Sequence, residues 1–141
     1  MFFLKSIDLS SFNATNVKDM SLMFYKCYRL QSIDLSSFNT TNVKDMSLMF
    51  YYCSNLQSID LSSFDATNVK DMSHMFSNCR SLQSIDLSSF NTTNVKIMKR
   101  IFNLVLNVGT FGMFEGCSSL KKRNVKIGEY GKKILDEDCW N

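Results

Sequence analysis

The sequence predicts an α/β solenoid, in which each 26-residue unit contributes one short parallel strand and one short helix. The main observation is that Ser-Ile-Asp-Leu-Ser-Ser-Phe recurs at a constant interval, beginning at Ser6, Ser32, Ser58 and Ser84. Within each unit an alternating apolar pattern is followed by apolar residues at helical spacing. Such a short period is typical of stacked repeat proteins, because a lone unit cannot bury its own apolar residues.

Four units start at Leu4, Leu30, Leu56 and Leu82, so residues 1–96 form the predicted regular part. Residues 97–112 break the pattern, and two interpretations remain open. They are an insertion, or they form a lengthened helix and loop that keeps the period through Met98, Ile101, Phe102 and Val105. Residues 113–141 are predicted to be a final degenerate repeat and a C-terminal cap, which covers the last apolar face with Ile127, Tyr130, Ile134, Leu135 and Trp140.

The second unit illustrates the predicted strand and helix. Ile33 and Leu35 alternate with polar residues, as in a half-buried strand. The later apolar residues lie at i, i+3, i+4 and i+7, which predicts one face of a helix formed by Met46, Met49, Phe50 and Cys53. We expect Asn42 to cap this helix and Asp45 to lie in its first turn.

Neither proline nor glycine is available to form the corners of the regular units. The chain has no proline, and its five glycines all follow residue 108. We therefore expect Ser, Asn, Asp and Thr to form the corners through hydrogen bonds from side chain to backbone. Equivalent residues should stack from unit to unit, including the phenylalanines Phe12, Phe38, Phe64 and Phe90.

The repeat resembles known leucine-rich repeats. Leu-x-x-Ile-x-Leu-x-x-Phe is similar to the leucine-rich-repeat core, with Phe38 and its equivalents in place of the usual asparagine. The longer pattern that ends in Met-Phe-x-x-Cys-x-x-Leu resembles the BspA-type leucine-rich repeat of bacterial and protist surface proteins. It resumes at Met113 and runs to Leu120. The resemblance implies a right-handed leucine-rich-repeat-like stack.

We expect a non-enzymatic protein, because the sequence has no catalytic motif. The resemblance also implies a protein at the cell surface or outside the cell, which adheres to a host or matrix protein. One alternative is an intracellular, cytoplasmic interaction scaffold, which the lack of a signal peptide in this chain favours. A second alternative is a fragment of a longer repeat protein without independent function. Fold alone does not decide between these functions.

The candidate ligand-facing surface is the polar side of the predicted strands, because solenoids bind along their extended faces. Aspartates repeat along this side and are flanked by serines on both edges. We call these residues the Asp/Ser surface: Ser6, Asp8, Ser10, Ser32, Asp34, Ser36, Ser58, Asp60, Ser62, Ser84, Asp86 and Ser88.

No catalytic, cofactor-binding or metal-binding residue is predicted. His74, the only histidine, is expected to be a solvated surface residue, because its position, which Leu22 and Leu48 occupy in other units, faces outward on the predicted helix. Cys27, Cys53 and Cys79 recur at the same position of the first three units without a Cys-x-x-Cys pair, which favours buried free thiols over metal ligands. Cys139 lies outside this series.

The predicted partner is an unidentified protein ligand. The net charge of +3 is too small to predict nucleic-acid binding, and no apolar stretch is long enough for membrane insertion. The first unit has no predicted cap, so self-stacking through this uncapped N-terminal repeat is a further expectation. Asn13, Asn39 and Asn91 begin glycosylation sequons, although the same position also suits an Asx turn.

Overall fold

The computed structural model describes residues 5–96, 113–114 and 116–129. Strand β1, Ile85–Leu87, pairs in parallel with strand β2, Val125–Ile127. A 3-10 helix, Lys122–Asn124, leads directly into β2. Isolated parallel bridges also join Asp19 to Asp45 and Asp45 to Asp71, so equivalent residues of successive units lie side by side.

Two columns of phenylalanine rings hold successive units together. Phe24, Phe50 and Phe76 stack with their ring centroids 5.2 and 5.4 Å apart. The second column confirms the predicted stack, with centroid distances of 5.0, 6.0 and 6.2 Å along Phe12, Phe38, Phe64 and Phe90. Most of these rings are buried in one continuous apolar core. The right-handed overall form stays a prediction.

The prediction of a helix over Met46–Cys53 is wrong. This segment and its equivalents form a run of tight turns, and the described residues contain no α-helix. Alternate amides close local turns, as where the Met49 N–H donates to the Met46 carbonyl. The amides between them donate to carbonyls of the next unit. The Leu48 N–H donates to the Ser73 carbonyl at 2.9 Å, and the Phe50 N–H donates to the Met75 carbonyl at 2.8 Å.

The distance between units explains why no helix forms. Helices packed side by side need about 8–10 Å between their axes. Rings at equivalent positions of the turn run are only 5.2–5.7 Å apart. At this distance a backbone that shares hydrogen bonds with its neighbour fits, and a helix does not. Apolar residues at i, i+3, i+4 and i+7 are therefore compatible with this turn run as well as with a helix.

The turn run needs two left-handed residues in each unit. Leu48 and Tyr52 have φ values of 58° and 59°, and their equivalents in the units before and after share this conformation. L-residues avoid this region because Cβ approaches the next carbonyl oxygen. Gly116 has a φ of 69° at the position equivalent to Asn78. This glycine therefore occupies a site at which the other units accept strain.

The corners confirm the expectation that polar side chains replace glycine and proline. Each of the first three units has three corners where a side-chain oxygen accepts the N–H two residues further on. In the second unit the acceptors are Oδ1 of Asp34, Asn39 and Asp45, at 2.8–3.1 Å from the donor nitrogen. Asp65 forms the same turn as Asn39, so the corner accepts aspartate and asparagine alike.

Asn42 is not a helix cap. Its Nδ2 donates to the Thr15 carbonyl of the preceding unit at 2.8 Å, and Asn68 and Asn94 repeat this contact. Serine hydroxyls form a second ladder of the same kind, in which Ser37 Oγ donates to the Leu9 carbonyl. Side-chain donors thus connect each unit to the one before it, in addition to the backbone bonds.

After the break in the repeat, residues 113–114 and 116–120 continue the stack. The Phe114 ring lies 5.7 Å from Phe76, and the Phe76 N–H donates to the Met113 carbonyl. Phe114 is further from Phe76 along the chain than Phe76 is from Phe50, yet it stacks in the same way. The competing register through Met98, Ile101, Phe102 and Val105 lies outside the described residues, and the division into residues 1–96, 97–112 and 113–141 stays a prediction.

The last described unit differs from the others before its strand. Two extra residues separate Leu120 from Val125 when compared with Leu82 and Ile85, and the 3-10 helix accommodates them. A Cβ at Gly128 would collide with the Ser88 carbonyl oxygen, so glycine is required there. Val125 is buried and Ile127 packs against the core. The other predicted cap residues, Tyr130, Ile134, Leu135 and Trp140, lie outside the described residues.

One row of carbonyls in the first unit accepts no hydrogen bond from the part of the chain that the structure describes. In the second unit, carbonyls at Asp45, Ser47, Met49 and Tyr51 accept N–H groups from the first unit. The equivalent carbonyls of the first unit accept no hydrogen bond from any described residue; they belong to Asp19, Ser21, Met23 and Tyr25. The apolar side chains beside them are buried, as Phe24 and Cys27 show.

At the left-handed positions, we expect a glycine variant to be more stable than an alanine variant, which is the reverse of the usual order of stability. At Leu22, with φ 60°, Leu22→Gly should be more stable than Leu22→Ala by about 1 kcal/mol, because alanine carries the left-handed strain. At Met23, which is outside the left-handed region, Met23→Gly should be less stable than Met23→Ala by about 0.5–1 kcal/mol. Urea denaturation of the four variants measures both differences. The same order at both positions would contradict the turn run.

Candidate binding surface

All twelve residues of the Asp/Ser surface are exposed. They alternate with Leu9, Leu35, Leu61 and Leu87, which are buried, and with an isoleucine at the neighbouring position. In β1, Ile85 and Leu87 are buried, and the Asp86 side chain between them is exposed to solvent. The structure therefore arranges the predicted residues on a common polar face. Their role in binding stays a prediction.

Each aspartate of this surface is held by the serine two residues later. Asp34 Oδ1 accepts the Ser36 N–H at 2.9 Å, and Asp8, Asp60 and Asp86 make the same bond with Ser10, Ser62 and Ser88. These hydrogen bonds favour the ionised carboxylate, so they lower the pKa of all four aspartates below the usual value. The carboxylates are therefore charged at neutral pH.

Repulsion along the aspartate column is present but does not dominate. The charges of Asp34 and Asp86 raise the pKa of Asp60, yet the Ser62 hydrogen bonds outweigh them and the net direction is downward. At the C-terminal end, Lys126 Nζ lies 3.4 Å from Asp86 Oδ2. Both side chains are well exposed, so this ion pair contributes little to stability.

A second surface, which the sequence did not single out, lies on the turn run of the first two units. Tyr25 and Tyr51 stack with centroids 5.3 Å apart and planes 6° from parallel. Tyr52 packs edge-on against both Tyr51 and Tyr28. Lys26 Nζ lies 5.0 Å from the Tyr25 ring centroid. We call these five residues the tyrosine surface: Tyr25, Lys26, Tyr28, Tyr51 and Tyr52.

Reading the segment as a helix concealed this surface. Consecutive residues of a helix point about 100° apart around its axis. In a helix, Tyr51 and Tyr52 would therefore point in different directions and would not both lie near Tyr28. The close stacking of units brings equivalent positions within ring contact instead. The available signal was the repetition of tyrosine at equivalent positions of the first two units, Tyr25 and Tyr51.

The expectation of a solvated His74 is wrong. The side chain is only 9% exposed. Its Nδ1 lies 3.3 Å from Ser77 Oγ, and its ring packs edge-on against Tyr51 of the preceding unit at 6.1 Å. Leu22, at the equivalent position of the first unit, is 48% exposed. Burial at this position therefore depends on which residues of the neighbouring unit surround it.

The prediction of buried free thiols is confirmed for Cys27, Cys53 and Cys79, and Cys117 is likewise a buried free thiol. Cys53 Sγ donates to the Phe24 carbonyl of the preceding unit at 3.2 Å, and the next two cysteines repeat this bond. Burial raises the pKa of Cys53 to about 12, so this thiol stays protonated. Cys139 lies outside the described residues.

The sequon asparagines form Asx turns. Oδ1 of Asn13, Asn39 and Asn91 accepts the N–H of the threonine two residues later at 3.0–3.1 Å. Their glycosylation stays untested. No group of three His, Cys, Asp or Glu side chains within the described part of the chain is arranged to hold a metal ion. Nor do the described residues include a helix long and apolar enough to cross a bilayer.

These contacts define a protein built from near-identical units that share backbone and side-chain hydrogen bonds. Residues 2–111 match the model of the family described as "Mycoplasma protein of unknown function, DUF285". The chain belongs to this family. No curated protein and no solved structure matches it. The family match agrees with a repeat protein, and the finer resemblance to BspA-type leucine-rich repeats stays a prediction.

Aspartate hydrogen bonds predict how stability depends on pH. A carboxylate whose pKa is lowered by folding stabilises the fold above its unfolded pKa of about 3.9, and this stabilisation is lost as pH falls through the lower folded pKa. We expect the melting temperature to fall on acidification below about pH 4, and to fall less in Asp34→Asn/Asp60→Asn, which keeps the acceptor oxygen without the titration.

Thermal melts of both proteins at a series of acidic pH values measure this difference. The control is Asp34→Ala/Asp60→Ala, which lacks the acceptor and should melt earlier at neutral pH as well. An equal loss of melting temperature in wild type and the asparagine variant would show that these aspartates do not stabilise the fold.

Proposed function

We propose that this protein is a non-enzymatic repeat protein that presents an extended surface for protein–protein recognition. The observation that carries the proposal is the Asp/Ser surface, in which the same exposed serines and aspartate recur in each of the four regular units. Hydrogen bonds from Ser10, Ser36, Ser62 and Ser88 fix each carboxylate. Such a surface is preorganised, so a partner loses little free energy in ordering it.

Charge decides which partner suits the Asp/Ser surface. Its ionisable groups are four carboxylates, and Lys126 neutralises only the last of them. A basic segment of a partner protein would relieve the repulsion within the column as it binds. Complementary charge of this kind favours specificity and fast association. The protein ligand, a host or matrix protein in the surface interpretation, is therefore expected to contribute lysine or arginine.

The place of action follows from the resemblance to surface proteins. We propose display at the cell surface or outside the cell, with adhesion as the role. The alternative is an intracellular interaction scaffold, with which the buried, reduced thiols of Cys27, Cys53, Cys79 and Cys117 are compatible. Subcellular fractionation of the full-length gene product distinguishes the two. Self-stacking through the first unit remains a proposal, favoured by its row of carbonyls that accept no hydrogen bond from the described residues.

Binding of a short fluorescein-labelled peptide that alternates lysine and leucine tests the proposed surface. Fluorescence anisotropy should show binding to wild type and about tenfold weaker binding to Asp34→Asn/Asp60→Asn, because both lost charges lie on the surface. Asp45→Asn/Asp71→Asn is the matched control, since it removes the same charge from the aspartates that precede the turn runs.

The matched control should bind the lysine peptide as wild type does, within about twofold. Equal weakening by both double variants would mean that the peptide senses only net charge. No binding to wild type would also contradict recognition through the Asp/Ser surface.

A further inference from the structure

The near-identical units differ from one another mainly in the turn run and the two residues that follow it. Ser-Ile-Asp-Leu-Ser-Ser-Phe is the same in all four regular units. The first three units differ at eight of their positions, of which three lie in the turn run and two directly after it. The first unit has Leu22, Tyr25, Lys26, Tyr28 and Arg29 at these five positions. The third unit has His74, Ser77, Asn78, Arg80 and Ser81 there.

The fold does not require tyrosine at these positions. Ser77 and Asn78 occupy the places of Tyr51 and Tyr52 and keep the same backbone, including the left-handed residue. The Ser77 N–H still donates to the His74 carbonyl, as the Tyr51 N–H donates to that of Leu48. The tyrosines of the first two units are thus additions to a turn run that folds without them.

The tyrosine surface is ordered and accessible. Its four rings are all partly exposed, and each contacts at least one other ring of the cluster. Leu22, beside it, is 48% exposed. Tyrosine offers a large amphipathic contact area with few rotatable bonds, and for this reason it is enriched at recognition surfaces. The stacking of Tyr25 on Tyr51 orders the rings before any partner arrives.

The charge of this region has one sign. Residues 20–33 and 46–59 contain no acidic residue, whereas Lys26 and Arg29 carry positive charge. Lys26 lies over the Tyr25 ring, so the ring face that would attract a cation already holds one. A basic partner is disfavoured here, and carboxylates are attracted to the edge of the aromatic cluster.

We propose that the tyrosine surface binds an acidic segment of a partner protein, with carboxylates at Lys26 and apolar side chains against the tyrosine rings. The proposal rests on the proposed function in protein recognition and adds a second surface of opposite charge preference to it. In this arrangement the identical Asp/Ser positions serve the four regular units equally, while the variable positions in the turn run and directly after it select the partner.

A labelled short peptide that alternates glutamate and leucine is the probe. At the tyrosine surface, wild type should bind this peptide more tightly than the lysine–leucine peptide. The Lys26→Glu variant should bind the glutamate–leucine peptide about tenfold more weakly than wild type does. Lys44→Glu is the matched control, because it makes the same charge change at an exposed lysine outside the surface. Anisotropy titrations at low and high salt measure the affinities, and high salt should weaken them.

A second variant tests the rings without risk to the fold. Tyr25→Ser/Tyr51→Ser introduces the residue that the third unit carries, and it should also weaken binding of the glutamate peptide about tenfold while urea unfolding shows a folded chain. Loss of binding in Lys44→Glu equal to that in Lys26→Glu would overturn the proposal. Tighter binding of a single-stranded oligonucleotide than of the glutamate peptide, lost in Lys26→Glu, would assign the surface to nucleic acid and overturn it too.

The two peptides separate the two proposals. If the glutamate peptide does not bind while the lysine peptide does, the proposal for the tyrosine surface is contradicted and the proposed function is not. Absence of both would contradict both proposals.

Discussion

The hydrogen bonds that leave each turn run for the next unit determine the rest of the structure. The N–H groups of Met46, Leu48, Phe50 and Tyr52 donate to carbonyls of the following unit at 2.8–2.9 Å. This sharing keeps adjacent units as close as neighbouring strands of a sheet, about 4.8 Å apart in an ideal sheet. Each unit consequently has no stable backbone structure of its own, because half of its turn-run amides find their acceptors only in a neighbour.

The side-chain columns follow from this close spacing. Phenylalanine rings can stack face to face in both columns, and tyrosines can stack on the surface. The Cys53 thiol reaches the Phe24 carbonyl of the preceding unit, and the Asn42 amide reaches Thr15. The buried thiols and the buried rings both suit the close spacing of units, since each fills the core and lies next to its equivalent in the neighbouring unit. The cost is left-handed strain at Leu48, Tyr52 and their equivalents.

Much of this arrangement could be predicted from the sequence because it depends on repetition. The unit length, the Phe38 stack, the Asx corners and the buried thiols all followed from residues that recur at the same position of each unit. The turn run could not be predicted, since its apolar spacing also fits a helix and left-handed leucine has no sequence signature. Asn42 was wrongly predicted to cap a helix, because its actual partner lies in another unit and is visible only once the units are stacked.

The sequence also predicted one candidate surface and missed the other. The alternation of Asp34 with Ile33 and Leu35 was sufficient to place the Asp/Ser surface in solvent. The tyrosine surface requires Tyr25 and Tyr51 to meet across two units, and the burial of His74 depends on the same contact with Tyr51. Both follow from the spacing between units rather than from the residues within one unit.

Scalar couplings across hydrogen bonds, measured by NMR on isotope-labelled protein, test the shared backbone bonds most directly. The structure predicts a coupling between the Leu48 amide nitrogen and the Ser73 carbonyl carbon, and another between Phe50 and Met75. Couplings from Leu48 to Lys44 and from Phe50 to Met46, as in an α-helix, would contradict the account.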